Sequence, residues 1–345
     1  MSGYEDDYWI QKGVSALVED FMAVTATDQV LITADTNSNA ALVRATLDCV
    51  RSTGAKCMVV TLPQMPYQGA LADPFLPHML KGSVQECTVW LDLTFPYLAG
   101  CHIHDEAMKA GNCRYLLGGD MTAQGVARLF GRVNLDDYFA ASTAFDQLIS
   151  QSVKKHVRIT DPYGTDVSFT LAKPGLVKPR RAIKPGVYVV PGTCAFFPEL
   201  ESVRGQIVLK SVFHEYYTQL EDDLLIEVDG RIQSVAGAPK DRLTLHRALQ
   251  RAGGGQYGYI IHFTYGLNPA ARLTGESFIE DAREIGNNAV GMGMPWWEPG
   301  GGENHPDGVL RRQSIWIEDE QIVDDGCIVA PSTLRQAAER LQLLI

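Results

Sequence analysis

The chain of 345 residues contains no run approaching the roughly 20 consecutive apolar residues that a membrane-spanning helix requires. Its opening residues 1–11 are acidic and polar, where a secretory leader is basic and then apolar, so a cytoplasmic protein without a membrane partner is expected. Basic residues are scarce: 30 Lys and Arg stand against 41 Asp and Glu, for a formal net charge of −11. Phosphate-backbone binding depends on clustered cations that release counterions, so nucleic acid is excluded as a partner. No C-x-x-C pair occurs. The seven cysteines, Cys49, Cys57, Cys87, Cys101, Cys113, Cys194 and Cys327, are scattered and odd in number, which fits reduced, mostly buried thiols. No G-x-x-x-x-G-K-[ST] triphosphate loop occurs, and the turn after the first β-rich run lacks the G-x-G-x-x-G that cradles a dinucleotide.

What is present reads as α/β. In residues 1–150, β-rich runs (30–34, 57–62, 88–93, 114–117) alternate with helical patterns (39–52, 106–110, 122–130). Gly54 is placed to end the first of these helices. Such alternation predicts a Rossmann-like parallel sheet covered by helices. The turn after its first strand is Asp35-Thr36-Asn37-Ser38-Asn39, with no phosphate loop. In residues 151–345 short β-prone runs (157–160, 166–171, 186–190, 205–212, 224–228, 257–263, 314–317, 321–329) are divided by Pro, Gly and Asp. Asp229-Gly230 gives a hairpin signal, and helices are expected over 241–252 and 332–344, the latter capped by Ser332. This half is read as a β-rich α+β metal-binding catalytic domain.

Two segments carry the chemistry: Ile261-His262-Phe263-Thr264-Tyr265-Gly266-Leu267-Asn268-Pro269 and Gly300-Gly301-Gly302-Glu303-Asn304-His305-Pro306-Asp307. Residues i and i+2 of an extended chain share a face, and Pro306 favours extended backbone at His305, so His305 and Asp307 can hold one ion, with His262 as third ligand. Two histidines and one carboxylate with open coordination positions suit non-haem Fe(II) oxygenases and also zinc hydrolases. In the hydrolase alternative Glu199 or Glu303 would be the base.

Other candidates stand beside their plainer readings. His102 and His104, next to Asp105 and Glu106 in the loop after the third strand, could shuttle a proton or form a solvated polar loop. Trp296, Trp297 and Glu298 precede the glycines and are read as substrate contacts, with a hydrophobic plug or subunit contact as the plainer role; Tyr265 is a further substrate candidate. Cys101 lacks the surroundings of a nucleophile. Glu199 and Glu201 are ligand candidates or solvated carboxylates, and Lys178-Pro179-Arg180-Arg181 reads as a solvated basic turn before an anion-steering patch. His78, His156, His214 and His246 are assigned structural roles.

The residues 262–270 and the His305-Pro306-Asp307 segment together resemble the 2,5-dihydroxypyridine 5,6-dioxygenases, relatives of the M29 metallo-aminopeptidases. The resemblance is sharp after residue 255 and diffuse before it. The dinuclear peptidases carry a glutamate where this chain has His262, and their second-metal segment corresponds to Asn288-Ala289-Val290-Gly291-Met292-Gly293, which holds no ligand. The resemblance therefore implies one Fe(II) on His262, His305 and Asp307, a small dihydroxylated aromatic substrate with O2, a base at His104 or His102, ring cleavage, and a homo-oligomer. One departure is visible. A pocket histidine of those dioxygenases has no counterpart in Gly186-Val187-Tyr188-Val189-Val190-Pro191.

Overall fold

The computed structural model describes residues 3–173, 180–214, 216–252, 255–295, 306–341 and 343–344. In chain order the first part runs α1 (Gly3–Ser15), β1 (Gln29–Asp35), α2 (Ala40–Ser52), β2 (Lys56–Leu62), α3 (His78–Glu86), β3 (Val89–Leu93), α4 (His102–Ala110), β4 (Arg114–Leu117), α5 (Ala123–Val126) and α6 (Leu135–Gln151). Next come β5 (His156–Thr160), β6 (Asp166–Thr170), β7 (Gly186–Val189), β8 (Thr193–Phe196), β9 (Arg204–Phe213), β10 (Tyr217–Asp229), β11 (Arg231–Ala236) and α7 (Pro239–Ala252). The remainder is β12 (Tyr259–Gly266), α8 (Phe278–Asp281), β13 (Asn288–Gly293), β14 (Asp307–Leu310), β15 (Ser314–Ile317), β16 (Glu320–Asp324), β17 (Cys327–Ile328) and α9 (Ser332–Glu339).

Two sheets divide these strands. The first is parallel, in the order β2-β1-β3-β4-β7; the second is a twelve-stranded antiparallel sheet. The fold class expected from the sequence is the one observed. The split at residue 150, however, does not describe the first sheet, because β7 returns to it and pairs in parallel with β4, Arg114 opposite Gly186. Residues 186–190 were expected among the β-rich elements of the second half. Their partner strand lies some seventy positions upstream, out of reach of any local pattern.

Local chemistry accounts for the individual elements. The Asn39 side chain accepts from the Leu42 amide at 3.0 Å and caps α2, and Gly54 ends it at φ +83. An unexpected N-terminal helix, α1, passes close to a π-helical turn, Ala127–Gly131, where a Cβ on Gly13 would lie 2.4 Å from the Val126 carbonyl oxygen. Only a glycine lets the two backbones come this near. At the other end of the chain Pro331 is the N-cap of α9 and Ser332 its first residue, one position from expectation.

The turn after β1 shows what replaced the phosphate loop. Asp35 Oδ1 accepts from the amides of Asn37 (2.7 Å) and Ser38 (3.0 Å), and its Oδ2 accepts from the Phe95 amide at 2.7 Å. Donors that a phosphate would use in a nucleotide-binding turn are thus satisfied by the chain's own carboxylate.

The two sheets are joined at the carboxyl edge of the first. Asp120, just beyond β4, accepts from Ser277 Oγ (3.0 Å) and from the Phe278 (2.6 Å) and Ile279 (3.1 Å) amides. Arg128 donates to both carboxylate oxygens of buried Glu280. Below them α6 lies on the second sheet, Phe145 stacked on Tyr265 at 5.7 Å and Phe169 on Phe263 at 4.7 Å. Aromatic pairs of this kind contribute about 0.5–1.5 kcal/mol each beyond their burial.

Candidate functional site

In the second sheet β12, β13, β14 and β9 are neighbours, and their registers align four residues in a row. His262 is opposite Gly291, Gly291 opposite Asp307, and Asp307 opposite Phe213. Directly opposed residues share a face of the sheet. His262 and Asp307 are therefore two strands apart, on the order of 9–10 Å between backbones, with a residue lacking a side chain between them. Across that gap His262 Nε2 comes to 3.2 Å from Asp307 Oδ1.

A β-bulge aims the imidazole. Ile260 pairs with Met292 and His262 with Gly291, so Ile261 and His262 together oppose a single residue. Such an insertion turns the following side chain relative to the regular pleat. The edge of the His262 ring faces Phe197, with centroids 6.4 Å apart.

The pair suits a shared cation. Donors about 2.0–2.1 Å from one ion stand roughly 3.0 Å apart at right angles and roughly 3.4 Å apart at tetrahedral angles, and the observed 3.2 Å lies between. An imidazole and a carboxylate are also the donor types of the expected ligand set. The third expected ligand, His305, lies outside the described residues, as do Trp296, Trp297 and Glu298. Among the described residues no group of three or more His, Cys, Asp or Glu converges.

One wall of the site comes from the first half of the chain. The segment after β3 brings Phe95 and Tyr97 onto Phe213, at 5.0 and 5.6 Å between centroids, and Phe213 in turn stacks on Phe278 at 5.0 Å. Beneath that segment lies Asp92, fully buried, which accepts from Thr33 Oγ1, Thr94 Oγ1, the Leu98 amide and the Tyr115 hydroxyl. Burial holds this carboxyl above its ordinary range. Tyr97 was not singled out from the sequence. The available signal was its place immediately after a parallel strand, where ligands of α/β folds gather.

The other expected site residues have surroundings of their own. Tyr265 is 1% exposed, stacked on Phe145, and its hydroxyl donates to the Gly326 carbonyl at 2.8 Å. It is a core residue and not a substrate contact, because it stands three positions from His262 and faces the opposite side of β12. His102 and His104 belong to the first turn of α4, not to a loop. Residues two apart in a helix point about 200° apart, which leaves His102 exposed and buries His104 against Tyr115, 4.6 Å between centroids. His104 Nδ1 lies 3.1 Å from the Gly100 amide and 3.2 Å from Asp105 Oδ1. The amide needs a bare nitrogen and the carboxylate a protonated one, so this ring has a partner in either neutral tautomer.

Cys101 is buried and its thiol is pushed up to about 12, chiefly by burial, which rules out a ready thiolate. Arg180 pairs with Asp146, and Arg181 donates to Asp136 at 2.7 Å, so both are tethered to α6. Glu199 is held by Lys154. Buried His214, next to Phe213, is lowered to about 4 by burial and then by the Arg251 charge. Two surface concavities, about 410 Å³ beside Lys56, Cys57 and Glu86 and about 330 Å³ beside Asn268, Glu284 and Arg311, are lined by neither His262 nor Asp307.

Comparison with known proteins follows the same lines. Residues 19–330 match the family model NicX, 2,5-dihydroxypyridine 5,6-dioxygenase. Among solved structures the chain is similar to 2,5-dihydroxypyridine dioxygenase from Pseudomonas putida KT2440, with a TM-score of 0.73 and 21% identity over 94% of this chain and 98% of that one. It is also similar to wild-type AmpT from Thermus thermophilus, with a TM-score of 0.65 and 12% identity over 94% of this chain and 100% of that one. No curated protein matches. At these identities the two structures establish a shared fold.

Proposed function

The chain belongs to the NicX family, 2,5-dihydroxypyridine 5,6-dioxygenase, and from that membership we propose a mononuclear Fe(II) dioxygenase that cleaves the ring of a small dihydroxylated aromatic or N-heteroaromatic compound. The observation that carries the proposal is the meeting of His262 and Asp307 over Gly291. These two residues and His305 would hold the ion. When bound, Fe(II) supplies the redox chemistry by which a hydroxylated ring reacts with O2.

The chain's own residues do the rest. β12 and β14 are interior strands of the sheet, so His262 and Asp307 are presented from rigid backbone and need little reorganisation on binding. Phe95 and Phe197, both partly exposed, offer apolar surface for a planar ring, with buried Phe213 packed behind Phe95. His104 is the proposed base: with its proton on Nδ1 and Asp105 accepting it, Nε2 is left basic. Trp296, Trp297 and Glu298 are proposed as further substrate contacts.

The likeness to AmpT supplies the competing reading, a metal-dependent hydrolase. Its candidate base Glu199 is occupied by Lys154. One experiment separates the two. Protein prepared without oxygen and loaded with Fe(II) should consume O2 in the presence of 2,5-dihydroxypyridine, and His305→Ala should lose both iron and turnover. Full activity with zinc alone, or cleavage of aminoacyl amides without O2 uptake, overturns the dioxygenase.

A further inference from the structure

Tyr97 offers a donor that the metal pair does not absorb. Its side chain is almost entirely enclosed, 8% exposed, with the ring packed on Phe95 and Phe213. The ring also lies against Gly119, where an added Cβ would stand 2.6 Å from Tyr97 Cε1. Its hydroxyl makes no hydrogen bond to any described residue and is not sealed from solvent, whereas Tyr115, Tyr138 and Tyr265 each have a protein partner. Water serves such a phenol in the open site, and a ligand that covers it must bring an acceptor or leave the donor unpaired.

The surroundings keep it a donor. The charges nearest the phenol are the carboxylates of Asp120, Asp307 and Asp92 and the buried guanidinium of Arg283. Burial and these carboxylates keep the hydroxyl protonated. It is therefore a standing donor. Phe213, against which the ring packs, is the residue paired directly with Asp307, so the donor belongs to the wall of the metal site.

We propose that Tyr97 is a specificity residue whose hydroxyl donates a hydrogen bond to a ring oxygen of the planar substrate held at His262 and Asp307. The inference rests on the dioxygenase reading and adds to it a selection rule. A ring bearing an oxygen at the Tyr97 position satisfies the phenol. One lacking that oxygen leaves a buried donor unpaired and is rejected, as in sites built to bind a substrate hydroxyl.

The test compares the full-length protein with Tyr97→Phe, which keeps the ring and its packing. Both are loaded anaerobically with Fe(II), and binding of 2,5-dihydroxypyridine, 2-hydroxypyridine and 3-hydroxypyridine is measured by calorimetry. The parent should prefer the dihydroxylated ring over one monohydroxylated analogue by roughly 10- to 100-fold. In Tyr97→Phe that preference should collapse to within about 3-fold, with affinity for the disfavoured analogue unchanged. Iron content should be equal and the melting temperature no lower than the parent's, since no protein hydrogen bond has been removed. A variant that keeps the preference overturns the inference. So does one that melts several degrees lower and loses every ring equally, which is the signature of a structural role. A parent that consumes O2 with the dihydroxylated ring while the variant still discriminates refutes Tyr97 alone. A parent that binds none of the three rings refutes the dioxygenase reading, and the inference falls with it.

Discussion

Arg128→Ala gives the sharpest test of how the two sheets are held together. Arg128 lies on the π-helical turn that leads into α6, whereas Glu280 is in α8, 152 positions later. Glu280 is 0% exposed, and its carboxylate receives Arg128 Nη2 at 2.8 Å, Arg128 Nε, and the Arg272 amide at 3.1 Å. Truncating Arg128 removes two of these three donors and leaves a buried charge with one. Breaking a buried pair in this way costs about 3–5 kcal/mol, because the stranded ion keeps its desolvation penalty. At about 2.1 cal/mol/K per residue, the unfolding entropy of a chain this long converts the loss into a fall of roughly 4–7 °C in melting temperature. Calorimetry and urea titration would measure both. Adding Glu280→Gln to Arg128→Ala should recover part of the loss, since the amide carries no charge to strand. A cost below about 1 kcal/mol for Arg128→Ala, the range of an exposed pair, would refute the view that this contact is buried and joins the halves.

Three further outcomes are expected. Gly291→Val should fill the space between His262 and Asp307 and reduce bound Fe(II) severalfold while circular dichroism is unchanged, whereas full iron loading would refute the three-strand geometry. Asp120 is raised from 3.8 to about 6, chiefly by burial, so the stability it contributes is fully present below about pH 3.8 and is lost as pH rises through about 6. That swing is at most about 3 kcal/mol at roughly 1.4 kcal/mol per pKa unit, less because the carboxylate keeps some solvent contact; urea midpoints of Asp120→Asn should lack the decline, and parallel curves for parent and variant would contradict it. Asp35→Ala strips the acceptor from three amides and should cost about 2–3 kcal/mol in urea unfolding. A loss under about 0.5 kcal/mol would show that water replaces the carboxylate freely.

The alternation of strands and helices in the first 117 residues was legible because it rests on local periodicity and on caps such as Asn39 and Gly54. The start of α4 was not. Cys101 makes no side-chain cap bond, and the His102 amide is satisfied instead by Asp73 Oδ1 at 2.8 Å, from 29 positions upstream. A reader scanning for a neighbouring cap begins that helix too late and takes two histidines for loop residues. The meeting of His262 and Asp307 was legible as residue types. The place of Gly291 was not, since a missing side chain acquires meaning only when register sets it between two opposed side chains. Tyr265 misled for the related reason that proximity in sequence to His262 says nothing about which face of a strand a residue occupies.

The pairing of β14 with β9 brings Asp307 beside Phe213, 94 positions earlier, and β12 and β13 are enclosed within that loop of chain. Contacts so distant in sequence form late, after the loops between them have closed. A chain emerging from the ribosome thus carries every strand of the first sheet well before it carries a place for an ion. On the proposed iron reading, loading follows folding, the reverse of small zinc domains in which the ion drives the chain to fold. The same reading predicts that cells starved of iron accumulate an intact, inactive protein that iron added after purification can activate.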